Sequence, residues 1–182
     1  MFKIMSPLLL FLLSTLSVTF SLEEKTVNSF LLPQVFGNYT IYDLQSSSSC
    51  GSTMAKYNGI PAYSNGGNQG TGDSCAGCGS TGCYYQCVEY VQRYFNTKFG
   101  IQAIWPVNYA SQMCNKYPKG ISVVKNPQVG DAVVFPWAPY GHTALITGVN
   151  GNNINVIEQN ASPSGTNTYS TSGVSCFLRV DK

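Results

Sequence analysis

Gln86-Cys87-Val88-Glu89-Tyr90-Val91-Gln92-Arg93-Tyr94-Phe95-Asn96-Thr97-Lys98 is the stretch from which the rest of the chain can be read. Val88, Val91, Tyr94 and Phe95 recur at spacings of three and four, and neither Gly nor Pro intervenes before Gly100. The pattern predicts one amphipathic helix from about Gln86 to Lys98. A second, weaker helix is expected from Pro106, a good first-turn residue, through Tyr109, Ala110, Met113 and Cys114 to Lys116. After that the period changes. Asp131 to Phe135, His142 to Val149, Ile154 to Gln159 and Val174 to Val180 are short apolar or β-branched runs separated by Pro, Gly and Asn, which reads as strands. Connections this short join antiparallel neighbours and cannot make parallel crossovers, so the class is α+β, a helix packed on an antiparallel sheet.

Upstream of the helix, residues 66–83 form a loop dense in Gly, Ser and Asn that holds Cys75, Cys78 and Cys83. A loop this long needs covalent ties. Residues 22–58 read as an irregular N-terminal extension with a serine run at Ser46 to Ser49, and a domain is expected over 59–182. At the start, Lys3 is followed by the apolar run Ile4 to Phe20, with Thr19 and Ser21 before Leu22. That is a secretory signal pattern over residues 1–21, and an uncleaved anchor is the alternative.

Ten Lys and Arg against eight Asp and Glu give a formal charge of +2, too little and too scattered for the basic stripe that nucleic acid requires. Cleavage before Leu22 leaves 161 residues with nine basic and eight acidic groups. No stable membrane insertion is expected of that product, and no cofactor. A secreted chain pairs its thiols. Cys50, Cys75, Cys78, Cys83, Cys87, Cys114 and Cys176 are odd in number, so three disulfides and one unpaired thiol are expected.

The unpaired thiol has a natural place. Cys87 sits at the start of the predicted helix, where free backbone N–H groups and the positive dipole end stabilise a thiolate. The single histidine, His142, opens a predicted strand, and the next strand offers Glu158 and Asn160. Pairing arithmetic tests whether they meet. A three-residue loop at Asn150-Gly151-Asn152 sets 142 opposite 160 and 144 opposite 158, so that His142, Glu158 and Asn160 share one face. A two-residue loop at Gly151-Asn152 turns Glu158 to the other face unless a bulge restores the register.

In this order, Gln86-Cys87-Val88-Glu89-Tyr90, Gly130-Asp131, Gly141-His142-Thr143-Ala144-Leu145-Ile146 and Glu158-Gln159-Asn160 resemble a CHAP domain. That family comprises cysteine, histidine-dependent amidohydrolases and peptidases with a papain-like α+β core. The similarity extends to the amidase half of glutathionylspermidine and trypanothione synthetases through Ala62-Tyr63-Ser64-Asn65, and covers roughly residues 59–162. The resemblance implies that Cys87 attacks an amide carbonyl, His142 is the base that then protonates the leaving amine, and Glu158 orients the imidazole. Asn160 is then a supporting residue, and the Cys87 backbone N–H an oxyanion donor with Gln86 as a weaker candidate. Asp131 reads as a turn residue. The chain departs from those amidases at Tyr85, where they show Trp, and in its cysteine-rich insertion and export signal.

Extracellular CHAP relatives cut peptidoglycan, so a bacterial cell-wall amide is the expected substrate and a monomer the expected state. A small glutathionylspermidine-like conjugate and an inactive wall-binding module are the alternatives. Trp105, Trp137 and Tyr140 are candidates for a substrate groove and equally for core packing. A zinc site on Cys75, Cys78, Cys83 and Cys87 lacks knuckle spacing, so no metal is expected; a redox Cys75-Ala76-Gly77-Cys78 lacks the flanking strand and helix. Asn38-Tyr39-Thr40 and Asn160-Ala161-Ser162 are both glycan acceptor sequences, and occupancy is expected at Asn38 only.

Overall fold

The computed structural model describes residues 49–181 and, ahead of them, the backbone of two short paired strands, β1 (Val35–Phe36) and β2 (Tyr39–Thr40). Those two strands belong to a separate unit, residues 1–43. The expected signal segment and the Asn38 acceptor lie outside the described residues. The remaining elements are β3 (Thr53–Tyr57), β4 (Ile60–Tyr63), β5 (Cys78–Gly79), β6 (Gly82–Cys83), α1 (Cys87–Phe99), β7 (Ile121–Val124), β8 (Ala132–Phe135), β9 (His142–Asn150), β10 (Asn153–Ile157), β11 (Thr166–Ser170) and β12 (Cys176–Val180). The class is α+β. Six strands form an antiparallel sheet in the order β11-β10-β9-β8-β12-β7.

The helix forms where its periodicity places it. Tyr90, Val91, Tyr94 and Phe95 are buried, and left-handed Gly100 ends it, with the Ile101 N–H reaching back to the Phe95 carbonyl. These side chains pack with Ala132, Val134, Leu145, Ile157 and Leu178 of the sheet. A second cluster, containing Val133, Phe135, Ala144, Ile146, Ile154, Val156 and Phe177, uses the alternate positions of the same strands. Both faces of the central strands are therefore buried.

The expected second helix does not form. Only Ala110–Gln112 makes a 3-10 turn. The Ser111 N–H is spent on the Tyr140 carbonyl at 3.0 Å, the Asn108 N–H on Gln112 Oε1 at 2.8 Å, and Cys114 is bonded to Cys176, so tertiary bonds replace the helical ladder. Residues 53–57, expected to be irregular, form β3 and pair with β4, with Ala55, Tyr57, Ile60 and Ala62 packed against the core.

Three disulfides join Cys50 to Cys75, Cys78 to Cys83 and Cys114 to Cys176, leaving Cys87 free among the described cysteines. The Cys114–Cys176 bridge spans 62 residues and fastens the 3-10 segment to β12. A cross-link of that span restricts the unfolded chain by about 4 kcal/mol. Cys114→Ser with Cys176→Ser is therefore expected to lose stability on the order of 3–4 kcal/mol in urea denaturation. A loss below about 1 kcal/mol would show that the bridge adds little to contacts already present.

Candidate active site

The register of β9 and β10 decides which side chains meet. The loop is the two-residue one, with Asn150 opposite Asn153. On that register Glu158 would face away from His142. The ladder shifts between Asn155 and Val156, however: Asn155 pairs with Gly148 and Val156 with Ile146, which leaves Thr147 as the extra residue of a β-bulge. Beyond the bulge Ile157 lies opposite Leu145, and continuing that register sets Glu158 opposite Ala144, on the face of His142.

The side chains use this placement. His142 Nε2 lies 2.7 Å from Glu158 Oε2, and both groups are buried. The other ring nitrogen, Nδ1, is left for Cys87, whose thiol is hydrogen-bonded to His142. Gly141 aims the histidine: its φ is +77°, and a Cβ there would lie 2.5 Å from the Ser111 nitrogen, so only glycine lets this corner close. The imidazole also lies parallel to the Trp137 ring, 5.1 Å between centroids and 1° between planes.

Cys87 is the first residue of α1. Burial pushes its thiol up, but the hydrogen bond and positive charge of His142, together with N–H donors from Thr143 and Val88, outweigh it and hold the thiol below its ordinary value. Burial pushes His142 down, yet bonds to Cys87 and Glu158 and their negative charges raise it to about 9. The two shifts have one cause. Each partner favours the charged form of the other, which makes a thiolate–imidazolium pair.

Glu158 is fully buried and takes a second bond that sequence reasoning missed. Tyr169 of β11 donates its hydroxyl to Oε1 at 3.1 Å and Oε2 at 3.3 Å, and Asn167 donates to Tyr169 at 2.9 Å. Burial, and then the carboxylate, push the Tyr169 phenol upward and keep it a donor. β11 is polar, Thr-Asn-Thr-Tyr-Ser, and reads as loop; only its pairing places Tyr169 opposite Ile154 on the face that Glu158 occupies.

Asn160 has a different neighbourhood from the one expected. Its four hydrogen bonds join Asn65, the Gly70 N–H, the Thr71 carbonyl and Gln86 Oε1, and none reaches His142. It fastens the 65–73 loop to the start of α1. Its Nδ2 is committed to two of those acceptors, which leaves no room for a glycan. Gln86 Nε2 donates to the Asp73 carbonyl at 2.8 Å, so this amide holds the loop and is not free toward a substrate oxyanion. Asp131 is a structural residue, paired with Arg179 at 2.7 Å and accepting the Gln128 N–H. The four-thiolate alternative does not form, because Cys75 is bonded to Cys50 and Cys78 to Cys83.

A groove of about 550 Å³ opens over Cys87 and His142. Trp137 and Tyr140 stand at its edge, 43% and 42% exposed. Trp105 is only 2% exposed and packs on Phe95, so its ring belongs to the core. No helix among the described residues is long and apolar enough to cross a membrane.

No curated protein matches the chain. The similar solved structures include that of Ly7917, 19% identical over 53% of this chain and 54% of that one at a TM-score of 0.45, and that of Ly7917 with the hydrolyzing product of MDP, 20% identical over 58% of each at 0.45. The chain thus spans little more than half the length of either. The CHAP domain family matches residues 78–160, the span that holds Cys87, His142 and Glu158. That match takes in 83 of the 182 residues and supports a hydrolase of the cysteine, histidine-dependent kind.

Proposed function

We propose that the protein is a secreted cysteine amidohydrolase that cuts an amide bond in bacterial peptidoglycan through Cys87, His142 and Glu158. The observation that carries the reading is the unpaired thiol at the start of α1, held by an imidazole whose second nitrogen is fixed by a buried carboxylate. Three disulfides support an oxidising compartment. The extracellular members that the resemblance brings to mind support a cell-wall substrate, and the papain-like core is the corresponding reading of the fold.

The Cys87 thiolate attacks the carbonyl carbon and forms a C–S bond, while the carbonyl electron pair moves to oxygen. The Cys87 backbone N–H, in the first helical turn and without an acceptor among the described residues, is the donor offered to that oxyanion. As the oxyanion collapses the C–N bond breaks, and the His142 imidazolium gives its proton to the leaving amine. A thioester remains. Neutral His142 then takes a proton from water, whose oxygen attacks the thioester; the C–S bond breaks, thiolate and imidazolium are regenerated, and the carboxylic acid formed loses its proton to solvent. Throughout, Glu158 holds the ring through its bond to Nε2.

The test is turnover of purified sacculi, read as new amine termini, beside turnover of glutathionylspermidine by the same preparation. Release of termini from sacculi is expected. Rapid cleavage of the small conjugate with untouched sacculi would replace the wall with a soluble amide, and binding to sacculi without any turnover would make this an inactive module.

A further inference from the structure

The groove holds one carboxylate that no neighbouring residue neutralises among the described residues. Neither Lys nor Arg lines it, and its charged lining residues are Asp73, Glu89 and His142. Glu89 is consumed by Arg93 at 2.7 Å and His142 by Glu158, whereas the Asp73 carboxylate has no hydrogen bond or ion pair among the described residues. Yet Asp73 is firmly placed. Its carbonyl accepts from Asn65 and Gln86 at 2.8 Å each, and its N–H donates to Thr71 at 3.2 Å. The same Gln86 precedes the nucleophile, so the free carboxylate is built into the frame of the active site.

Two exposed aromatic rings line the same groove. Tyr109 and Tyr140 lie 5.2 Å apart at 32°, and both line the groove. Gly72, which precedes Asp73, lies against Tyr140: a Cβ there would be 3.2 Å from the ring. A side chain at that position would press on the tyrosine, so glycine lets the loop settle on Tyr140. A carboxylate in a groove that also holds two exposed phenol rings and no Lys or Arg favours a bound ammonium group and disfavours a bound anion.

We propose that Asp73, Tyr109 and Tyr140 form a subsite for a protonated primary amine carried by the substrate near the amide that is cut. The inference rests on the hydrolase reading of the groove and narrows its substrate class. Among cell-wall peptides it selects those whose diamino acid keeps a free ammonium, against those in which that nitrogen is already acylated in a cross-link.

The experiment compares a muropeptide, N-acetylmuramoyl-L-Ala-γ-D-Glu-L-Lys-D-Ala, with the same compound acetylated on the lysine nitrogen, at matched ionic strength. The wild type is expected to prefer the free amine by about tenfold in kcat/KM, mostly through KM, which corresponds to about 1.4 kcal/mol. Asp73→Asn keeps the backbone bonds of residue 73 and is expected to bring the two substrates within about twofold of each other. Equal use of both by the wild type, or an undiminished preference in D73N, overturns the subsite and leaves the hydrolase reading standing. Glutathionylspermidine, which also carries ammonium groups, identifies the source: D73N-sensitive turnover of it with both muropeptides untouched assigns the subsite to a polyamine. If nothing is turned over, the hydrolase reading fails, and calorimetry of both muropeptides on Cys87→Ala decides the subsite separately. Tighter binding of the free amine upholds it, and equal or absent binding refutes it.

Discussion

Cys87→Ala and His142→Ala are each expected to abolish amide hydrolysis, a loss of at least about 10³-fold in kcat/KM, with the fold retained. Cys87 supplies the atom that bonds to the substrate. Alanine at 142 removes both the proton donor for the leaving amine and the charge that holds the thiol below its ordinary value. The losses share one cause, since each ionised partner favours the charged form of the other, and members of one catalytic unit do not add. The double variant is therefore expected to be no worse than either single one. Full activity in His142→Ala would sink the mechanism. Alkylation separates the two roles: without reduction, Cys87 is the one cysteine of the described chain left to react, and its rate at neutral pH should fall in His142→Ala as the thiolate is lost. An unchanged rate would mean that the helix terminus alone ionises the thiol.

How much of this site was legible in the sequence depended on the range of the interaction. The helix could be read because Val91, Tyr94 and Phe95 encode their burial in local spacing. Cys87 and His142 could be read because each is singular, an odd thiol and a lone imidazole. Glu158 could be read only conditionally. Its face depended on the loop and on any bulge, and the protein combines a two-residue loop with a bulge at Thr147, a residue whose type announces neither. Tyr169 was out of reach, because its edge strand is polar and its contact with Glu158 exists only once β11 lies beside β10. The 106–116 segment misled for the opposite reason. Its apolar spacing is helical, but Ser111 bonds to Tyr140 and Cys114 to Cys176, contacts that local pattern does not contain. Asn160 has the right neighbours in sequence and other ones in space: it lies three residues beyond β10 with φ at +60°, and its amide bonds to the 65–73 loop and not to the imidazole.

The second large effect is in the pH profile and comes from Glu158. The active form needs His142 protonated and Cys87 ionised, so activity is bounded on the alkaline side by loss of the imidazolium proton. With His142 raised to about 9, kcat/KM of the free enzyme is expected to hold through neutral pH and to fall as pH rises through about 9. The acid limb lies where the lowered Cys87 takes up a proton. Glu158→Gln removes a buried negative charge 2.7 Å from Nε2 while keeping an oxygen that can accept from the ring. Loss of that charge weakens the imidazolium, so the alkaline limb moves toward neutral pH by on the order of one unit. The Cys87 contribution to raising His142 remains, which keeps the shift partial. The rate at neutral pH falls by roughly 10²-fold, because the glutamine can also turn its NH₂ toward the ring and favour the wrong tautomer. A merely structural role for Glu158 would lower the whole profile without moving its limbs. The decisive observation is thus the position of the alkaline limb: if it stays near pH 9 in Glu158→Gln, the carboxylate does not sustain the imidazolium and the assignment of Glu158 as its orienting partner is wrong.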